Sequence, residues 1–289
     1  MHRKAVLGLT AALAGALVLI GAPTASADRG SSSTGVVGAR SGGLEAIGLT
    51  ADQKLVRFSV DLPRRTRAVA SISGLAGDTS LIGIDYRVQN GLLYGVGNAG
   101  GIYTVNDTTG VAAKVSQVTV ALTGTNFGVD FNPAADRLRV ISDTGQNLRH
   151  DLTAGTTTVD GGLTYPPATT PATGVTGAAY TNNDLDPNTS TTLFDLDASL
   201  DQIAIQAPAN SGQLSATGKL TVDAGASAGF DIYSQLLNGA TVNVFGYATA
   251  QVNGSYRVYE INLLTGKATD RGGYLRNAAV FDLALPLNQ

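Results

Sequence analysis

The chain of 289 residues carries 19 basic and 22 acidic side chains, a net charge of −3, and only 14% of its residues are charged. It contains no cysteine, which excludes disulfide and thiol chemistry, and it lacks the clustered Lys and Arg that a nucleic-acid or anionic-membrane surface needs. Its 36 glycines and 43% hydrophobic content point to buried strands and many tight turns rather than to disorder.

At the start of the chain, His2, Arg3 and Lys4 precede an apolar stretch from Ala5 to Ala22, and Ala25-Ser26-Ala27 is a small-x-small cleavage site. Residues 1–27 therefore read as a secretory signal peptide, and the expected product is secreted, extracellular and free of the membrane. Loss of Arg3 and Lys4 leaves 17 basic against 22 acidic residues, a net charge of about −5. Residues 28–43 form a Gly/Ser-rich stretch without apolar periodicity, expected to be a flexible leader.

From residue 44 to 289 the pattern predicts one all-β domain: short alternating segments are separated by Gly, Asn, Asp and Pro clusters, and no window sustains helical spacing over three turns. A Gly-apolar-Asp motif recurs at Gly83-Ile84-Asp85, Gly128-Val129-Asp130 and Gly229-Phe230-Asp231. Gly177-Ala178-Ala179 and Val280-Phe281-Asp282 are degenerate copies. The third positions are 45, 49, 52 and 51 residues apart, a period that implies a propeller or another stacked repeat. After this first strand comes a second, as in Leu93-Tyr94-Gly95-Val96, Leu138-Arg139-Val140-Ile141, Leu193-Phe194-Asp195-Leu196 and Val242-Asn243-Val244-Phe245. A third strand follows, including Tyr103-Thr104-Val105 and Tyr259-Glu260-Ile261, and several copies run into a turn glycine at Gly110, Gly155 or Gly266. With an outer strand, each unit is a four-stranded antiparallel blade.

The two ends complement one another. Residues 44–73 supply second, third and fourth strands without a first, whereas Ala278–Ala284 is a first strand with nothing after it. A five-bladed β-propeller results, closed by pairing the C-terminal strand with the N-terminal blade and so removing exposed sheet edges. The expected blades are 44–74 with 277–285, 80–121, 126–165, 174–222 and 226–275. The segment Thr164–Thr173 and the loop Thr181–Ser190 read as polar connections, and Tyr247–Ser255 as a loop overhanging one end of the channel.

The run GTNFGVDFNPAADRLRVISDTGQNLRHD at 124–151, with GAAYTNND at 177–184, QAPANSGQLSATG at 206–218, AGFDIY at 228–233 and YEINLLTGKAT at 259–269, resembles domain-of-unknown-function family 4394. The resemblance spans essentially the whole body and implies a secreted bacterial propeller-like domain. No activity comes with it.

Asp85, Asp130, Asp231 and Asp282 are the candidate site residues, since a ring would bring them near its axis. Their repulsion would be relieved by hydrogen bonds to the neighbouring blade, by Arg, or by a hard cation such as Ca²⁺. The structural role is the leading expectation, a channel metal the alternative, and no catalytic residue or other cofactor is assigned. His150 takes a slot that is apolar in the other blades (Val60, Val105, Ile205, Ile261), which predicts a packed side chain rather than a triad base. The only glutamates are Glu45 and Glu260, and there is no Trp for a broad sugar-stacking platform. The sequence thus favours a monomeric, non-catalytic binding or scaffold module for an extracellular ligand, a polysaccharide or wall component. The alternative is an extracellular glycoside hydrolase or lyase using carboxylates at the channel mouth.

Overall fold

A computed structural model describes residues 43–186 and 188–287. The expected signal peptide and all but the last residue of the expected leader lie outside them. Among the described residues no helix is long and apolar enough to cross a membrane.

Among the described residues, twenty strands form five four-stranded antiparallel sheets, a five-bladed β-propeller. Blade two comprises β4 (Leu81–Arg87), β5 (Leu92–Gly97), β6 (Gly101–Val105) and β7 (Ala112–Gln117). Blade three comprises β8 (Phe127–Asn132), β9 (Arg137–Ser142), β10 (Asn147–Asp151) and β11 (Thr156–Val159). Blade four comprises β12 (Val175–Tyr180), β13 (Leu193–Asp197), β14 (Gln202–Gln206) and β15 (Leu214–Lys219), and blade five β16 (Ala228–Leu237), β17 (Ala240–Val252), β18 (Ser255–Ile261) and β19 (Ala268–Gly273). Blade one joins the ends: β20 (Val280–Ala284) pairs antiparallel with β1 (Glu45–Thr50), which continues into β2 (Lys54–Ser59) and β3 (Leu62–Ser71). The inner strands then touch in a closed cycle, β20 to β4 to β8 to β12 to β16 and back to β20.

The core lies between blades, in five wedges of buried side chains. Ile47 and Leu55 of blade one meet Ile84 and Leu93 of blade two, Val96 and Ile102 meet Phe131 and Leu138 of blade three, and Ile141 meets Leu193 and Leu214 of blade four. Leu196 and Phe194 meet Phe230 and Tyr259, and Tyr247 and Val258 meet Phe58 and Leu283 to complete the circle. Because each wedge takes residues from two sheets, no blade can bury its own apolar faces alone.

The glycine of the repeated motif is set by this closeness. A Cβ at Gly128 would lie 2.6 Å from the Ala178 amide nitrogen, and one at Gly229 would lie 2.6 Å from the Asp282 Cα. In each case the obstacle is the backbone of the next inner strand. Blade one solves the problem differently: Val280 occupies the motif's glycine slot, and the bare Cα of Gly48 on the paired strand makes room, since a Cβ there would lie 2.6 Å from Val280 Cγ1.

One expected element differs. Tyr247–Val252 is strand, not an overhanging loop, and Val242–Phe245 is not the blade's ordinary second strand. β17 pairs with β18 only from Gly246 onward, and Ala240–Phe245 pairs with β16 in a hairpin that extends beyond the sheet. Val242 and Val244 alternate as in a buried strand, yet they are 49% and 36% exposed. The buried part of the strand begins later, at Gly246, and is continuous to Ala250.

Substituting Gly128 or Gly229 by valine forces backbone apart at an inter-blade contact. The expected loss is about 3 kcal/mol, the upper end of overpacking costs, read from urea unfolding. Gly91, whose Cβ would meet nothing within 4 Å but whose φ is +67°, is the control that separates backbone strain from crowding.

Candidate functional site at the channel

The inner strands carry the four aspartates to the axis, where each accepts a hydrogen bond from the backbone of the next blade. The Phe131 amide donates to Asp85 Oδ2 (2.8 Å), the Tyr180 amide to Asp130 Oδ1 (3.2 Å), the Leu285 amide to Asp231 Oδ2 (2.6 Å) and the Ile84 amide to Asp282 Oδ2 (2.8 Å). Asp85 and Asp231 also accept from the amide of the residue that follows each, Tyr86 at 2.6 Å and Ile232 at 2.5 Å. Blade four has Ala179 at this position, and hydroxyl groups make its junction with blade five instead. Thr176 Oγ1 donates to the Ala228 carbonyl (3.0 Å), and the Asn182 amide donates to Ser234 Oγ (3.0 Å).

Asp85, Asp130 and Asp231 each place one carboxylate oxygen within 4.8 Å of the others, and Asp282 stands outside that group. All four are buried. Burial pushes the Asp85 carboxyl well above the usual range, with the charge of Asp231 adding to it; burial does the same at Asp130, helped by Asp85 and Asp231. Asp282 is raised by burial, and Asp231 is pushed up to about 6 by burial against its two amide donors. Three converging oxygens suit a hard cation, which would need further oxygens to reach six or more.

At the end where the inner strands begin, a cavity of about 230 Å³ is lined by residues of all five inner strands, Ile82, Phe127, Thr176, Ala228 and Phe281 among them, and by Tyr256. A second cavity of about 440 Å³ shares Thr125, Asn126 and Thr176 with it and runs outward past Asp143, Thr144 and Ser199. Ile82, Phe127 and Ala228 precede Asp85, Asp130 and Asp231 by three residues, so the carboxylates lie about 10 Å further along their strands. Asp143 is the one carboxylate lining either cavity. Burial would raise it, but donors from Thr125 and Asn126 outweigh that and hold it below the ordinary value: the Thr125 amide and Oγ1 at 3.0 and 2.6 Å, the Asn126 amide and Nδ2 at 3.0 and 2.9 Å.

A family model described as "Domain of unknown function (DUF4394)" matches residues 54–284. The chain belongs to the DUF4394 family. No curated protein matches it. Among solved structures, this DUF4394 chain is similar to a structural genomics protein of unknown function from Bacteroides thetaiotaomicron VPI-5482, at 13% identity and a TM-score of 0.45, over 84% of this chain and 64% of that one. It is also similar to an auxiliary nutrient binding protein from Bacteroides ovatus ATCC 8483, at 11% identity and a TM-score of 0.38, over 60% of this chain and 46% of that one. The DUF4394 chain thus spans less than two thirds of the length of either.

The DUF4394 ring also holds charged groups that the repeat pattern did not single out. Arg139 is 1% exposed; it donates to Asp160 Oδ2 (2.8 Å), Asn147 Oδ1 (2.6 Å), Asn210 Oδ1 (2.8 Å) and the Tyr180 hydroxyl (3.1 Å). Asp195, fully buried on blade four at the same interface, has no hydrogen-bond partner on either carboxylate oxygen. Burial raises its carboxyl well above the usual range, with Arg139 opposing and Asp197 adding. The signal that could have revealed them is substitution within the repeat. Arg139 faces Asp130 across the ladder, where Tyr94 faces Asp85 and Tyr247 faces Asp231, and Asp195 takes the place of Gly95 and Val140.

His150 is buried, with Nε2 2.8 Å from Ser116 Oγ and Nδ1 2.9 Å from Thr157 Oγ1, and burial lowers its pKa. Both ring nitrogens are engaged between blades two and three. Glu45 sits 4.0 Å from Arg67, and Glu260 pairs with Arg271. In the loop between β12 and β13, Asp184 accepts from the Asp186 amide and Asp186 from the Asn188 amide, ordinary turn bonds.

The raised carboxyls fix the direction of a pH effect. A group whose folded pKa exceeds its unfolded value of 3.8 contributes stability that is complete below 3.8 and is lost as pH rises through the folded pKa, about 6 for Asp231. Melting temperature should therefore fall between pH ~4.5 and ~7, and Asp231→Asn should flatten that slope in a calorimetric pH series. Asp195→Val, which removes a buried carboxyl without a hydrogen-bond partner between Ala178 and Ala204, is expected to raise stability by about 1–3 kcal/mol in urea unfolding.

Proposed function

We propose that the protein is a non-catalytic binding module that works outside the cell and holds its ligand at the channel mouth where the inner strands begin. The observation that carries this reading is the state of the carboxylates. Glycoside cleavage needs two carboxyl groups flanking the scissile bond, one held protonated and one ionised. The mouth has Asp143 alone, engaged by four donors, and the axial aspartates are tied to backbone amides and shifted in one direction. Such groups suit a rigid scaffold: hydrogen bonds to the neighbouring blade hold the ring at a fixed diameter, and the mouth residues ride on the ends of the same strands.

The 4.8 Å convergence of Asp85, Asp130 and Asp231 supports a second reading for the axis, a bound hard cation such as Ca²⁺ that neutralises them. Thermal unfolding with Ca²⁺ and with chelator, for the wild type and Asp130→Asn, separates the two. In the structural reading, chelation leaves the melting temperature unchanged and the substitution shifts it. A Ca²⁺-dependent rise that vanishes in Asp130→Asn assigns the cation. For the binding function, retention on insoluble polysaccharide or cell-wall material without release of reducing ends is expected. Release of reducing ends or of unsaturated products would establish the hydrolase or lyase instead.

A further inference from the structure

We infer that the mouth groove takes a neutral, polyhydroxylated chain, an uncharged oligosaccharide; this rests on the binding-module reading and specifies its ligand. The two cavities share Thr125, Asn126 and Thr176, so they adjoin, one at the ring axis and the other outward across blades three and four. Its shape accommodates an elongated ligand with one end over the axis.

The chemistry of the walls narrows the class. Neither cavity is lined by Lys, Arg or His, so nothing there neutralises a carboxylate, sulfate or phosphate. The lone negative charge, Asp143, repels anions, and its four donors leave it little capacity to hold a cation. What remains is neutral. Hydroxyl groups line the outer part, on Thr125, Thr144, Thr173 and Ser199; the Thr125 proton goes to Asp143 and Thr144 bonds Thr123 and Ser142, while the Thr173 and Ser199 hydroxyls can both donate and accept, the capacity that sugar hydroxyls require of a partner. On the axial side stand three partly exposed rings, Phe127, Tyr256 and Phe281, with Ile82, able to cover the apolar C–H face of a pyranose. The groove therefore pairs an apolar floor with a hydroxyl-rich rim, in the proportions of a small-molecule site with a few placed polar groups.

The test uses isothermal titration of the mature protein with neutral cello-, xylo- and malto-oligosaccharides, an oligogalacturonate, a chitosan oligomer and an uncharged Gly-Ser-Thr peptide. Ser199→Trp, at an exposed position, plugs the outer groove without touching a blade interface, and its melting temperature checks the fold. At least one neutral oligosaccharide is expected to bind, with affinity unchanged between 50 and 500 mM NaCl and reduced at least tenfold in Ser199→Trp. Binding of the galacturonate, the chitosan or the peptide instead, sensitive to Ser199→Trp, overturns the ligand class and leaves the binding module standing. Neutral binding indifferent to Ser199→Trp overturns the location, and failure of all the neutral sugars overturns the inference. Cleavage of a bound neutral sugar would overturn the non-catalytic reading while leaving the ligand class intact.

Discussion

The distance between neighbouring inner strands governs this molecule. Five sheets can share wedges of core only if their first strands crowd around one axis, and crowding at about 2.6 Å from a would-be Cβ leaves no room for a side chain at one position on four of the five strands. The adjacent carboxylate then bonds the neighbour's amide, so approach and attachment are coded two residues apart. The requirement is spatial rather than a matter of residue identity. Blade one satisfies it with Val280 against Gly48, and blade four, lacking the carboxylate, satisfies it with Thr176 and Ser234.

Attachment by carboxylates has an electrostatic cost. Asp85, Asp130 and Asp231 bring like charges within 4.8 Å in a buried place, and each amide donor offsets only part of the desolvation. Their pKa values move upward together as a consequence. A catalytic pair requires the opposite, two environments that push neighbouring carboxyls apart, so the property that makes these groups good staples makes them poor acid and base partners. The same desolvation acts off the axis on Asp195, and it is only partly offset by Arg139, which is already committed to Asp160, Asn147, Asn210 and Tyr180.

The ring was legible in the sequence because it repeats. The motif counted the inner strands, and the mismatch of the two ends revealed that β20 belongs to blade one. Where the repeat was interrupted, reading failed: Val242 and Val244 carry strand-like alternation, but only tertiary pairing shows that the sheet proper starts at Gly246 and that they belong to an exposed extension. The aspartates were legible as inner-strand residues, and their bonds to the next blade followed from the closure. The mouth was not legible. Ile82, Phe127, Thr176, Ala228 and Phe281 share no residue type, and Phe281, next to Asp282, does not hold the repeat position of the other four, so only the assembled ring shows that they line one cavity. Arg139 and Asp195 were visible only as departures from their repeat equivalents, which a search for the motif itself passes over.

Along the inner strands of blades two, three and five, then, two tasks are separated by three residues. The deeper positions are fixed by neighbours: glycine by contact, aspartate by a specific amide. At the mouth, Thr176 still bonds the Ala228 carbonyl of the next blade, whereas Ile82, Phe127 and Phe281 are partly exposed and differ in residue type. This division explains how a rigid ring can offer an asymmetric surface. The repeat gathers five inner strands around one cavity, and the unlike residues on them, with Asp143 ordering Thr125 and Asn126 beside them, give the groove its apolar floor and its hydroxyl rim on one side of the axis only. Specificity in such a molecule resides in the residues that break its symmetry, and stability in those that keep it.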